Sequence, residues 1–270
     1  MIDWRHWHNE PVLVGGLVFL GWLWAILAGP LRAQMARRAA RSAEAAVPPF
    51  PRRQAWFFYS SLILFYLAVG SPLDQVGERF LFSAHMFQHL VIMYPAPVLM
   101  LCGVPWWMVD AVLDHPATRR PLRLLLGPLA CGVIFIVVIS VWHAPWLYDW
   151  ALQDKVIHVV EHLMFYAVSV LFWWPILSPS RAFPPLSFAS RMLYIFCVEV
   201  GMTPIFAYVT FTNDILYPTY EYAPRLFATF TANDDQTLAG VMMKLTSMAV
   251  SMIAFGYCFY RWSETNQKGK

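Results

Sequence analysis

Seven apolar stretches follow one another along the chain, and they constrain its fold more than any other feature. Each is close to the ~20 residues that a helix needs to cross ~30 Å of hydrocarbon, although the second is short. We predict spans at residues 11–31, 55–70, 80–101, 124–142, 156–177, 192–211 and 238–262. Only 13% of the residues are charged, against about 25% in a soluble domain. The sequence therefore predicts an all-α, polytopic integral membrane protein, a seven-helix bundle forming a single domain over residues 1–270.

The basic residues of the short loops predict how these spans are oriented. Fourteen of the nineteen lysines and arginines lie in the loops after spans one, three and five and in the C-terminal tail, whereas four lie on the opposite side. Basic residues accumulate in cytoplasmic loops. We therefore predict that the N-terminus lies outside and the C-terminus in the cytoplasm. Residues 32–53 contain six arginines and three prolines and are predicted to be a basic cytoplasmic linker in contact with anionic lipid.

Five of the eight histidines fall in or next to three of the predicted spans. His85 and His89 lie in span three, His158 and His162 in span five, and His143 at the end of span four. Residues four apart share one face of a helix, so each pair presents two imidazoles together. The predicted orientation places all five in the outer half of the membrane. Polar side chains inside a membrane are usually retained for a function or for an internal partner.

These histidines predict a transition-metal site near the outer surface, with His143 as an additional ligand to the two pairs. Imidazole is the commonest protein ligand for copper, zinc and iron, and thioether sulfur favours Cu(I). The candidate accessory residues are Met86, Gln88, Met93, Tyr148, Asp149, Glu161, Asp235 and Met243. Asp235, at the outer end of span seven, is expected to face either this site or water. Alternatively, the histidines bind polar neighbours such as Gln88, Glu161 and Tyr166 and hold the helices together without a metal.

The other polar residues have simpler interpretations. Glu199 and Lys244 fall at a similar middle depth of spans six and seven, and we predict that they form an ion pair between these spans. His6, His8 and His115 lie outside the cluster and are expected to be solvated. The four cysteines are isolated, with no Cys-x-x-Cys, which argues against a thiol-based metal chaperone and against a disulfide framework.

Five motifs together resemble the CtaG family of cytochrome c oxidase assembly factors, of the multi-span type. They are residues 85–89 (His-Met-x-Gln-His), 143–152 (His-x-Pro-x-x-Tyr-Asp-x-Ala-Leu), 158–162 (His-x-x-Glu-His), 172–175 (Phe-Trp-Trp-Pro) and 235–243 (Asp-Gln-x-Leu-Ala-Gly-x-x-Met). The resemblance extends from about residue 71 to residue 260. The family more often has a glycine and an aromatic residue where this chain has Ala239 and Lys244.

The resemblance implies a multi-pass protein of the bacterial cytoplasmic (inner) membrane that helps to assemble haem-copper oxidase. It implies that copper is held or delivered, without an enzymatic step. The implied partners are cytochrome c oxidase subunits and a periplasmic copper donor, together with the lipid bilayer and no nucleic acid. Two alternatives remain open at this point. One is a membrane redox protein with haem or a two-metal centre, and the other is a transporter for metal or a small solute, with helices broken at prolines.

Overall fold

A computed structural model describes residues 4–5, 7–227 and 229–268 of the chain. Over these residues the structure is all-helical, with 78% helix and no β-strand. The helices are α1 (Pro11–Ala28), α2 (Arg32–Ala40), α3 (Arg52–Gly70), α4 (Pro72–Arg79), α5 (Phe82–Met93), α6 (Pro95–Gly103), α7 (Trp106–Leu113), α8 (Pro116–Leu125), α9 (Pro128–Trp142), α10 (Pro145–Gln153), α11 (Lys155–Leu177), α12 (Phe188–Phe211), α13 (Pro218–Glu221) and α14 (Ala232–Lys268).

Five helical segments are long and apolar enough to cross a membrane: α1, the α5–α6 pair, α11, α12 and α14. The pairs α3–α4 and α8–α9 also qualify if each bent pair is one span, with bends of 43° and 61°. The described part of the chain thus has five to seven such segments. Large apolar side chains such as Trp56, Leu129 and Phe211 are exposed on their outward faces. These features are those of a helical membrane protein.

Several predicted spans differ in their boundaries from the helices. Predicted span three is divided at Tyr94 into α5 and α6. Predicted span four includes the break between α8, which ends at Leu125, and α9, which begins at Pro128. Proline disfavours helical geometry at the preceding residue, and Gly127 is accordingly extended, with ψ at 148°. Predicted span two ends at residue 70, where α3 also ends, and the chain bends by 43° into α4, in which Pro72 occupies the first position.

The break inside predicted span three is compensated by a neighbouring helix. Pro97 has no N–H to donate to the carbonyl of Met93, four residues earlier. The indole Nε1 of Trp173, on α11, donates to that carbonyl at 3.2 Å. The carbonyl is therefore satisfied within the protein, as a hydrocarbon environment requires.

α5 lies at the centre of the bundle. It packs against α3, α4, α11 and α14, while α12 lies along α14, and α9 contacts both α11 and α12. The main core, which includes Phe82, Met86, Phe135 and Phe165, is formed where these helices meet. α1 packs mainly on α2 and α3, with a second, smaller core around Trp24. The helix with the first histidine pair is thus surrounded by other helices.

The predicted basic linker comprises α2, a non-helical stretch that ends at Pro51, and the first two residues of α3. Arg41, just after α2, has a left-handed backbone conformation with φ at 53°. Its guanidinium lies 2.8 Å from the carboxylate of Asp114, which also binds Arg119 at 3.3 Å. The ion pair between Arg41 and Asp114 attaches the linker to the connection between α7 and α8.

Candidate metal centre

Asp235 fixes the start of the helix that carries the first histidine pair. Its fully buried carboxylate, on the first turn of α14, accepts hydrogen bonds from the backbone N–H groups of Phe82 (2.7 Å) and Ser83 (3.0 Å). The first turn of a helix leaves its N–H groups without internal partners, and a negative charge there also interacts favourably with the helix dipole. Asp235 was predicted to face the metal site or water. It instead caps α5.

A glycine allows α4 to cross α5 directly beside His85. A Cβ atom at Gly77 would lie 3.0 Å from the Cα and 3.1 Å from the backbone N of His85, so any larger residue would push the two helices apart. The carbonyl of Gly77 accepts the hydroxyl proton of Tyr220 at 2.7 Å. This close crossing brings α4 and Tyr220 to the histidines.

The two histidine pairs, on α5 and α11, form one cluster. Ring centroids within the pairs are 4.3 Å apart for His85 and His89, and 4.2 Å apart for His158 and His162. Between the helices, His85 lies 5.2 Å from His158 and 5.8 Å from His162, and His89 lies 5.1 Å from His162. All four side chains are buried, none more than 5% exposed. The four imidazoles predicted from sequence spacing therefore meet in the interior.

Hydrogen bonding fixes which nitrogen of His85 carries the proton. The single hydroxyl proton of Tyr220 is donated to Gly77, so its oxygen accepts from Nδ1 of His85, 3.2 Å away. Burial raises the pKa of Tyr220, which keeps this proton on the hydroxyl. His85 therefore has a lone pair on Nε2, and Nε2 lies 2.8 Å from Nε2 of His89. The lone pair faces the other imidazoles of the cluster.

The same arrangement recurs at His158 and His143. Nδ1 of His158 donates to the carboxylate of Glu78 at 2.7 Å, and Nδ1 of His143 donates to the carbonyl of Ile139 at 2.7 Å. In a neutral imidazole, a donating Nδ1 leaves a lone pair on Nε2. Both Nε2 atoms are buried and have no hydrogen-bond partner among the described residues. Histidine ligands of metal ions characteristically have one nitrogen held in this way.

One group of converging ligand atoms comprises His85, His89, Glu161 and His162. Each offers one nitrogen or oxygen atom, and these four atoms all lie within 4.8 Å of one another. Both carboxylate oxygens of Glu161, Nε2 of His162 and Nδ1 of His89 are buried without a hydrogen-bond partner in the part of the chain that the structure describes. Leaving such groups unpaired is costly, most of all for a carboxylate. A cation bound in this group would satisfy Nε2 of His162 and the carboxylate of Glu161.

The predicted accessory side chains Gln88, Tyr148 and Asp149 support the structure around this cluster. Gln88 donates to Asp74 at 2.5 Å. The hydroxyl of Tyr148 lies 3.0 Å from that of Tyr220, and its ring lies 5.3 Å from the imidazole of His85. Asp149 accepts a hydrogen bond from Thr219 at 3.0 Å and so attaches α13 to α10.

The remaining predicted residues lie close to the cluster or in the core. The imidazole of His143 stacks on Phe165 at 6.2 Å, and the ring of Phe165 also contacts His89 at 4.6 Å. His143 is not part of any group of converging ligand atoms found among the described residues. The methionines at positions 86, 93 and 243 are buried in the main core.

Sequence reasoning missed His8, Asp74, Glu78 and Tyr220. His8 was expected to be solvated, and this was wrong. Its Nδ1 lies 2.7 Å from the carboxylate of Asp74, and this hydrogen bond raises the pKa of His8. For Asp74 and Glu78, the signal in the sequence was their spacing of four just before the apolar stretch that starts at residue 80. His115 is exposed, as expected, and His6 lies outside the described residues.

The predicted partners Glu199 and Lys244 meet between α12 and α14. The ammonium of Lys244 lies 3.3 Å from the carboxylate of Glu199. Ser247 and Ser251, one and two turns further along α14, donate to the other carboxylate oxygen at 2.5 Å and 2.7 Å. The pair is part of a polar contact that joins the two longest helices.

Comparison with known proteins identifies the family. A family model described as cytochrome c oxidase caa3 assembly factor (Caa3_CtaG) matches residues 14–265, nearly the whole chain. The match includes both histidine pairs, Glu161, and the carboxylates of Asp74 and Glu78. No curated protein and no solved structure matches the chain with significant similarity. The chain belongs to the family of cytochrome c oxidase caa3 assembly factors.

Proposed function

We propose that the protein binds copper in the histidine cluster and holds or delivers it during assembly of haem-copper cytochrome c oxidase, without catalysing a reaction itself. The observation that carries this proposal is the convergence of buried ligand atoms, of which Nε2 of His162 and both carboxylate oxygens of Glu161 have no hydrogen-bond partner among the described residues. His85, His89 and His162 contribute imidazoles and Glu161 a carboxylate, all buried and within 4.8 Å. A purely structural cluster would instead pair the Glu161 carboxylate and Nε2 of His162 with neighbouring groups.

The ligand set suits copper. Imidazole and carboxylate ligands bind Cu²⁺ and Zn²⁺, and Cu²⁺ binds most tightly of the divalent first-row ions. The Nδ1–H of His85 is held by Tyr220, which orients Nε2 as a ligand. In the absence of an ion, the Nε2 atoms of His85 and His89 are hydrogen-bonded to each other at 2.8 Å. An ion bound to both Nε2 atoms would replace this hydrogen bond. Copper is here the cargo, the metal that the oxidase needs.

We further propose the orientation that the basic loops predict: seven spans, an outer N-terminus and a cytoplasmic C-terminus in the bacterial inner membrane. The segment with His8 then lies outside, together with the starts of α5 and α11, from which His85 and His158 are reached within the first turn. The cluster would lie toward the periplasm. A periplasmic copper donor and an oxidase subunit would both reach it from that side.

Metal analysis of the protein purified in mild detergent tests the proposal. We expect at least equimolar copper after loading and dialysis of the wild type and of the His115→Ala control, since His115 is exposed and outside the cluster. The His85→Ala/His89→Ala double variant should bind about one copper ion fewer per chain than the wild type while eluting as a folded protein. Equal copper in both variants would refute the proposal. A Soret absorption band in the purified protein would instead identify a haem protein.

A further inference from the structure

A second group of ligand atoms lies next to the first. It consists of Asp74 on α4 and of His158 and His162 on α11, whose ligand atoms lie within 4.8 Å of one another. All three side chains are at least nine-tenths buried, and Nε2 of both histidines has no hydrogen-bond partner among the described residues. Glu78 accepts the Nδ1 proton of His158 at 2.7 Å. A carboxylate that orients an imidazole in this way is a common feature of metal sites.

A cavity leads to this second group and not to the first pair. It has a volume of about 440 Å³ and lies between α1 and the bundle. Its walls are mostly apolar, but Asp74, His158 and His162 line it, whereas His85 and His89 do not. His8 also lines it, and its contact with the carboxylate of Asp74 at 2.7 Å places the N-terminal segment over this group.

We propose that Asp74, His158 and His162 form a second site for a divalent first-row cation, which shares His162 with the cluster of His85, His89 and Glu161. Because a neutral imidazole has a single lone pair, His162 holds both ions at once as an imidazolate, with one ring nitrogen on each ion and its ring proton released to solvent. The inference rests on the proposed function and deepens it. One carboxylate and two imidazoles suit Cu²⁺ or Zn²⁺. Because all three residues of the second site line the cavity, whereas His162 alone does so from the first group, an ion that enters there reaches the second site first. The shared His162 then connects it to the buried cluster.

Asp74 is prepared for such a role by its two neighbours. Gln88 donates to one of its oxygens at 2.5 Å, and His8 lies 2.7 Å from the other. The bond to Gln88 can persist while the second oxygen binds an ion in place of His8. Glu78 would act as a positioning residue through His158.

Titration of the purified full-length protein with Cu²⁺ tests the second site, with stoichiometry and electron paramagnetic resonance as readouts. We expect two cupric ions per chain in the wild type and a half-field signal from their coupling. Asp74→Asn should bind one ion and lose the half-field signal. Asp110→Asn is the matched control, because Asp110 is equally buried and hydrogen-bonded but belongs to neither group, and it should behave as wild type.

The outcomes separate this inference from the proposed function. If the wild type and Asp74→Asn each bind a single ion, the second site is overturned and the first is intact. Two ions bound to Asp74→Asn would have the same meaning. A wild type without bound copper would overturn both. If Asp74→Asn does not fold, Glu78→Gln decides, since it keeps all ligands. Loss of a residue that orients a ligand should weaken the second ion alone by about 10–100-fold, and unchanged affinity for that ion would refute the site.

Discussion

Replacing Asp235 by alanine should weaken the whole centre although Asp235 is not a ligand. The substitution removes the cap of α5 and leaves the N–H groups of Phe82 and Ser83 without acceptors. Loss of a cap costs about 0.5–2 kcal/mol, and each buried unsatisfied group about 1–3 kcal/mol, with overlap between the two. We expect a loss of about 2–4 kcal/mol in the free energy of unfolding. Because α5 carries His85 and His89, copper affinity should also fall.

The adjacent Asp234 provides a matched control. Its carboxylate is exposed and caps only Thr231, the residue just before α14. Equilibrium unfolding in mixed micelles and copper titration should therefore show a clearly smaller effect for Asp234→Ala than for Asp235→Ala. Asp235→Asn, which retains one acceptor oxygen, should fall between wild type and Asp235→Ala. Equal stability of the Asp234 and Asp235 alanine variants would show that the cap does not organise α5.

Three further substitutions test the contacts around and beyond the centre. Tyr220→Phe removes the acceptor for Nδ1 of His85 and should lower copper affinity by about 10–100-fold without changing stoichiometry. Tyr222 is exposed, so Tyr222→Phe should bind copper as the wild type does; equal affinities of the two variants would contradict the proton assigned to Nδ1 of His85. Gly77→Ala places a Cβ 3.0 Å from the α5 backbone, and overpacking of this kind typically costs about 1–3 kcal/mol; an unfolding free energy equal to wild type would show that the crossing can yield. Lys244→Met leaves the Glu199 carboxylate without its cation and should lower the free energy of unfolding by about 1–2 kcal/mol. The loss is moderate because the side chains of Lys244 and Glu199 are 32% and 19% exposed. Adding Glu199→Gln should recover stability, and no recovery in the double variant would refute the ion pair.

The helical class and the placing of each histidine pair on one helix face could be predicted because both depend on local periodicity. A run of about 20 apolar residues specifies a membrane helix whatever surrounds it. A spacing of four places His85 beside His89, and His158 beside His162, on any helix. The pairing of Glu199 with Lys244 followed from similar depth, since a charge inside a membrane needs a partner. The structure places these two side chains 3.3 Å apart.

The helix boundaries near proline were harder to predict because hydropathy does not respond to backbone geometry. Predicted span three continues past Tyr94, where the helix breaks, and predicted span four contains the extended Gly127. The break at Tyr94 is stable because Trp173, distant in sequence, donates to the freed carbonyl. No local pattern contains that contact.

The sequence by itself determined that this chain is a helical membrane protein with two histidine pairs on separate helices, because both properties follow from residue type and spacing. Only the tertiary structure decided how those pairs are completed. It brought Glu161 into the first group, made Asp235 a helix cap, and placed Asp74 beside His158. These roles depend on α4, α5, α11 and α14 crossing at particular points, one of them permitted by a single missing Cβ at position 77. Contacts between residues far apart in sequence are set by packing, and packing made four imidazoles into a candidate metal centre.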